Sequence, residues 1–325
     1  MDVLQRLPEV SLRTQRLIAA LVILTQGGIA VTGAIVRVSK SGLGCPTWPQ
    51  CFPGSLVPVR HAQVPALHQA VEFTNRMFSF GVVAAAALAV LAVYRAQRRR
   101  EVKIYAWLMP LSTVLQAVIG GITVRTGLLW WTVSIHLLVS MAMVWLSVLL
   151  YVKIGEPDGP SVIVEVVPRP LRWLTVLIAV ALSAVLVTGT LVTAAGPHAG
   201  DKSAAEPVRR LQVGILTLVH AHSSLLIGYL ALVIGLGFAL LAVRAAAAVR
   251  RRLAVLAALV VAQGAVGAVQ FFAGVPAALV ALHVAGAAAC TAATAALWAS
   301  LRTHRPAGQP TERAQAQPIQ GTLDA

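Results

Sequence analysis

The chain has 325 residues, of which 58% are hydrophobic and only 11% charged. That balance excludes an ordinary soluble domain and leaves a polytopic membrane protein as the class. The net charge of +15 does not indicate a nucleic-acid partner, because the basic residues collect in alternate interhelical segments rather than on one patch.

Apolar runs long enough to cross a bilayer fall at 16–38, 73–94, 105–125, 130–152, 172–195, 211–243, 253–273 and 276–301. They predict an all-α membrane protein of eight transmembrane helices. The first run is long and has no clean small-residue cleavage site, so it reads as a helix rather than a cleavable signal. With a cytoplasmic N-terminus, most of the 26 Lys and Arg lie inside. They include Arg13 and Arg16, then Arg95, Arg98, Arg99, Arg100 and Lys103, then Lys153, Arg169 and Arg172, then Arg244 and Arg250 to Arg252. This positive-inside bias predicts cytoplasmic N- and C-termini in a multi-pass protein of the cell membrane.

The expected segments are a cytoplasmic N-terminus (1–15) and a first four-helix half (16–152) with a long outer loop (39–72). A cytoplasmic linker (153–171) and a second four-helix half (172–301) follow. The tail (302–325) is rich in Pro, Gln, Thr and Ala, and its composition predicts disorder.

The halves share a repeat. Asn75, Gln116 and His136 recur as His222, Gln263 and His283, each 147 residues later (222 − 75). Val31-Thr32-Gly33 matches Val187-Thr188-Gly189 at an offset of 156 (188 − 32), so the first outer loop carries nine extra residues (156 − 147). Four helices per half keep both repeats in the same orientation, which predicts parallel-repeat bundles.

Histidine is rare inside membrane helices, because an unpaired polar group is costly there. A repeated intramembrane His is therefore a candidate ligand. His222 with His283, and His136 with Asn75, form the arrangement with which a four-helix bundle would hold a haem. The alternative is buried histidines bonded to Ser, Thr or backbone groups. His220 lies two residues from His222 and cannot share its face. His68, two helical turns before Asn75, is the nearest substitute partner for His136; otherwise it sits at the membrane edge.

Glu72 lies three residues before Asn75 on the same face. It pairs with Arg76 or serves a substrate as proton acceptor or electrostatic stabiliser. The second half has Val219 at that place, so the acid belongs to one half alone. Arg37 and Arg125 end helices 1 and 3 and either meet haem propionates or snorkel to headgroups. Cys45 and Cys51 flank a short turn in the outer loop and read as a disulfide ahead of a metal site or free thiols. Cys290 reads as a small core residue.

Three stretches carry a resemblance: Thr32-Gly33-Ala34-Ile35-Val36-Arg37 running into Ser41-Gly42-Leu43-Gly44-Cys45-Pro46-Thr47-Trp48-Pro49-Gln50-Cys51; Glu72-Phe73-Thr74-Asn75-Arg76; and Gly196-Pro197-His198-Ala199-Gly200-Asp201 ahead of His222 and His283. On these the chain resembles the haem A synthase family of the COX15/CtaA type. The resemblance covers the chain to about residue 302. It implies a b-type haem held by His222 and His283 in one half. It implies haem O as substrate in the other, at His136, with its C8 methyl oxidised to a formyl group to give haem A for terminal oxidases. Glu72 would be the catalytic acid residue, Cys45 and Cys51 the outer-loop pair, and haem O synthase and terminal oxidase the neighbours. The family pattern Glu-x-x-His-Arg has Asn75 here in place of His, which predicts a single protein ligand, His136, at the substrate haem. The second outer loop (196–211) has no cysteine pair. The other classes are a membrane b-type cytochrome that transfers electrons, which leaves the Asn75 and Glu72 asymmetry unexplained, and a parallel-repeat transporter.

Overall fold

A computed structural model describes residues 9–198 and 208–307. The segments 1–8, 199–207 and 308–325 lie outside the described residues, and with them Ala199 to Asp201 and most of the expected disordered tail. Eight long helices run in order: α1 (Leu12–Val38), α2 (Ala66–Arg95), α3 (Arg100–Arg125), α4 (Trp130–Ile154), α5 (Arg169–Ala195), α6 (Ile215–Ala242), α7 (Ala247–Phe272) and α8 (Ala277–Ser300). All eight are long and apolar enough to span a membrane. The chain is a multi-pass membrane protein.

Two boundaries differ from the sequence expectation. The outer loop ends at Pro65 rather than 72, because Ala66 to Gln69 are helix-competent and Pro65 takes an extended N-cap conformation ahead of them. Gln69 then ties its side chain to the Val64 carbonyl at 2.9 Å. His68 and Glu72 thus sit on α2. The second difference lies in the tail. Residues Arg302–Pro306 form a strand, β2, antiparallel to β1 (Ser161–Glu165) in the linker, with Ile163 opposite His304.

The tight helix hairpins recur at the repeat offset. Gln97 and Arg244 both adopt φ of 51°, and the pairs Gly127/Gly274 and Leu128/Val275 are also left-handed. Each pair is 147 residues apart. A left-handed residue just past a helix end satisfies its last carbonyls and turns the chain back. Gly127 and Gly274 adopt that conformation without a Cβ penalty.

Neighbouring helices pack within 1–4 and within 5–8, while α1 and α4 meet α8, and α4 meets α5. Two apolar cores fill the end of the bundle that bears the described chain ends. One joins Val22, Ala86, Val93, Met109 and Leu150, and the alanines of α2 let its backbone approach α1 closely. The other joins Ile178, Tyr229, Leu236, Leu256 and Leu297. A small seam of Ala30, Met141, Val144 and Ala288 lies between the halves. The second core reaches the histidine level at Val185, whose carbonyl bonds His222, while the first core is built mainly on the other side of it.

The same end carries an ionic clamp. Arg98, only 6% exposed, donates to the carbonyls of Ile154 (2.8 Å) and Glu156 (2.9 Å) and to Gln15 Oε1 (3.1 Å). It also pairs with Asp158 at 2.7 Å. Partial burial works to raise the Asp158 pKa, but the Arg99 backbone N–H and the Arg98 guanidinium outweigh it and hold the group below its usual range. Arg98→Ala leaves the Ile154 and Glu156 carbonyls without their donor and should destabilise the protein by about 1–3 kcal/mol, read as a lower thermal midpoint in detergent. Because the Asp158 pKa is lowered on folding, its contribution is present above the ordinary carboxylate range and lost as pH falls through the folded value. A midpoint difference between wild type and Arg98→Ala that narrows on acidification is the expected result.

Candidate functional site

In the second half, α6 supplies His222 and α8 supplies His283. At 1.5 Å per residue each lies about 10 Å from its helix start, so the two share one level. Their ring centres are 6.4 Å apart at an interplanar angle of 65°. His222 Nδ1 bonds the Val185 carbonyl at 3.0 Å and lies 3.2 Å from Thr188 Oγ1, both on α5. The carbonyl can only accept, so the Nδ1 proton is committed and Nε2 keeps its lone pair. An imidazole that donates from one nitrogen and offers the other is the usual form of a metal-ligating histidine.

The ring of His283 has no hydrogen-bond partner among the described residues, although its Nδ1 is buried. Glycines back both rings: a Cβ on Gly189 would meet His222 Cε1 at 3.1 Å, and one on Gly267 would meet His283 Cε1 at 3.2 Å. Two imidazoles binding one iron from opposite sides through bonds of ~2 Å have ring centres roughly 6 Å apart. The observed separation fits. Among the described residues no three His, Cys, Asp or Glu side chains converge on a bare metal ion. A haem brings its own equatorial nitrogens and needs only axial ligands from the protein, so a histidine pair suffices.

The first half repeats this scaffold with one substitution. His136 on α4 again has a ring without a partner among the described residues, and its Nδ1 is buried. Gly120 backs it as Gly267 backs His283. Gln116 Nε2 donates to the His136 carbonyl at 3.3 Å and to Ser140 Oγ at 2.6 Å. Gln263 makes the matching bond to the His283 carbonyl at 2.8 Å. On α2, Asn75 Oδ1 accepts from Thr32 Oγ1 at 2.6 Å, in the place where Thr188 meets His222. Buried histidines satisfied by Ser, Thr or backbone would account for His222 Nδ1, but not for the rings of His136 and His283.

A cap covers the first half. The loop 39–65 is closed by a Cys45–Cys51 disulfide. Glu72, buried, accepts from the Cys45 N–H at 2.6 Å and pairs with Arg76 at 2.7 Å. Arg76 also donates to the carbonyls of Cys45 (2.9 Å), Thr47 (3.0 Å) and Gln50 (3.1 Å). The ion pair is therefore also the anchor of the loop. Gly44 crosses the His68 carbonyl so closely that a Cβ would not fit, and Trp48 rests on Gly121, the residue after the one that backs His136.

The remaining candidates scatter. Arg37 donates to the carbonyls of His198 (2.7 Å) and Thr193 (3.1 Å), fastening α1 to the end of α5. Arg125 is exposed and has no partner among the described residues. His68 lies two turns from Asn75 toward the loop, His220 is exposed, and Cys290 is buried in the second core. Thr188, Thr32 and the backing glycines were not singled out as site residues from the sequence. Their signal was present, since Thr32 and Thr188 share the Val-Thr-Gly motif and Gly120 and Gly267 are 147 residues apart.

These features define a multi-pass membrane protein with two similar histidine sites near one face, the first of them capped by its outer loop. Residues 16–200, more than half the chain, match the COX15-CtaA family, described as cytochrome oxidase assembly protein. The chain belongs to this family. It is similar to the haem A synthase of Geobacillus kaustophilus (strain HTA426), 34% identical over 101 residues that cover 31% of this chain and 30% of that protein. The haem A synthase of Geobacillus thermodenitrificans is 33% identical over 101 residues, with the same shares. That of Lysinibacillus sphaericus (strain C3-41) is 31% identical over 172 residues, 50% of this chain and 53% of the relative. The matched stretches thus span from under a third to about half the length of these relatives.

Glu72→Ala should free the loop and leave Arg76 unpaired, at a cost of about 3–5 kcal/mol. Faster limited proteolysis within 39–65, with a lower thermal midpoint, is the expected readout. Glu72→Gln, which can still accept from Cys45, should retain most of the loop's protection.

Proposed function

We propose that this chain is a haem A synthase, an oxidoreductase that converts the C8 methyl of haem O to a formyl group. The observation that carries the reading is that one scaffold serves two histidine sites of different character. His222 and His283 suit a fixed, doubly ligated b-type haem, which would supply a path for electrons. His136, opposite Asn75 and under a loop anchored by an acid, suits a substrate haem. A membrane b-type cytochrome would have no use for that difference.

Each protein group then has a task. His136 holds the substrate iron, and the backing glycines leave space beside the ligand rings. Glu72, paired with Arg76, faces the developing positive character of the methyl carbon or takes its proton. The Trp48 loop limits water at the reacting edge. Arg125, exposed and unpartnered among the described residues, is a better propionate partner than Arg37, whose Nε and one terminal nitrogen are spent on carbonyls. The halves are read as parallel repeats with both termini cytoplasmic, placing the ionic clamp inside and the capped site on the outer face of the plasma membrane in a bacterium. Haem O synthase and a terminal oxidase are the proposed neighbours upstream and downstream.

The test is extraction of haems from membranes that contain haem O, with and without this chain, followed by liquid chromatography and mass spectrometry. Haem A, or its hydroxylated precursor, should appear only with the chain. Glu72→Gln should lower product by about 100-fold while the loop stays protected. Bound haem b with haem O unchanged would overturn the proposal in favour of electron transfer. His283→Ala should lose the low-spin haem of the second half, seen in the reduced optical spectrum.

A further inference from the structure

We infer that the haem held by His136 keeps one axial position free of protein, and that this position takes a small neutral diatomic ligand, for which carbon monoxide is the probe. The inference rests on the proposed binding of a haem at His136. It goes beyond that reading by assigning a ligand-binding site and a hydrogen-bond donor to it.

The second half serves as the reference. There His222 fills the space beside Gly189, where a Cβ would meet its ring at 3.1 Å. At the equivalent Gly33 a Cβ would meet nothing within 4 Å. The volume that an imidazole occupies in one half is open in the other. Asn75, at the position of His222, is too short to fill it. Its Oδ1 is held by Thr32 at 2.6 Å, and an amide oxygen is a poor iron ligand in any case. Among the described residues, no neighbour replaces it. His68 is seven residues away on the same helix, about 10 Å along the axis. Glu72 is engaged by Arg76 and the Cys45 N–H.

The amide has a second end. With Oδ1 accepting from Thr32, Nδ2 is directed away from that bond and has no hydrogen-bond partner among the described residues. An N–H donor beside an open axial position polarises whatever binds there. Asn75 is therefore assigned as the donor to the bound ligand, not as a failed ligand.

The experiment uses the full-length protein in detergent, loaded with protohaem, reduced and exposed to carbon monoxide. About half of the bound haem should form a carbon monoxide complex, and His136→Ala should remove that half. Asn75→His should restore an imidazole pair like that of His222 and His283, keep the haem and abolish the complex. Asn75→Leu should still bind carbon monoxide but with a higher C–O stretching frequency in the infrared, because the donor is gone. A first-half haem that is lost in His136→Ala yet fails to bind carbon monoxide in the wild type would overturn the open position alone. Haem content unchanged by His136→Ala would overturn the His136 reading beneath it. A C–O stretch identical in wild type and Asn75→Leu would overturn the donor role.

Discussion

A polar side chain within a bilayer has no water to turn to, so its partner must come from a neighbouring helix. This constraint organises the molecule. Thr188 and the Val185 carbonyl orient His222, Gln263 crosses to the His283 carbonyl, and the same offsets place Thr32 on Asn75 and Gln116 on the His136 carbonyl. Each bond joins two helices at one depth. Together they fix the level and facing of the ligand helices more tightly than apolar packing against lipid-like neighbours could. What is left over at that level, the rings of His136 and His283, is the part the protein does not satisfy by itself.

The bundle is consequently two-ended. Toward the described chain ends it is sealed by two dense apolar cores and a clamp around Arg98. Toward the loop face the interior is lined by glycines, threonines, amides and imidazoles. The sealed end supplies rigidity; the other end trades packing for room beside the histidines. Strand β2 pairing with β1 ties the end of α8 to the linker between the halves, so the rigid end also holds the two halves together.

Much of this was legible in the sequence, because apolar run length and the 147-residue offset are strong, local signals. The helix ends fall within two residues of the apolar runs, and the starts within about five, except those of α2 and α7, which come seven and six residues early. The reason is physical: Ala66 to Gln69, and Arg250 to Arg252 in α7, are helical yet too polar or too near the membrane edge to extend a hydropathy run. The β1–β2 pair was invisible because Ser161–Glu165 and Arg302–Pro306 are short and far apart, and strand pairing is a tertiary choice. In the site, the histidines stood out by rarity. The double duty of Glu72 and Arg76 did not, since which loop atoms fold back onto a helix is not written in helical spacing. Only a carbonyl-lined turn around the guanidinium reveals that Arg76 anchors the cap as well as the acid.

That double duty bears on how an asymmetric protein can arise from a symmetric plan. On the proposed reading, Asn rather than His at one position of the repeat leaves an axial position open, and an open iron in a membrane protein is also exposed to side reactions. Nine extra residues in the first outer loop, a disulfide across its turn and an ion pair beneath it supply cover there, and on the proposed reading a haem held by both His222 and His283 leaves no open position to shield. The acid that holds the cover down lies three residues from Asn75 on the same helix face. On the proposed reading, a change that removes both carboxylate contacts of Glu72, to Cys45 and to Arg76, disturbs the chemistry and the shielding together, whereas Val219, at the matching place, has no carboxylate to lose.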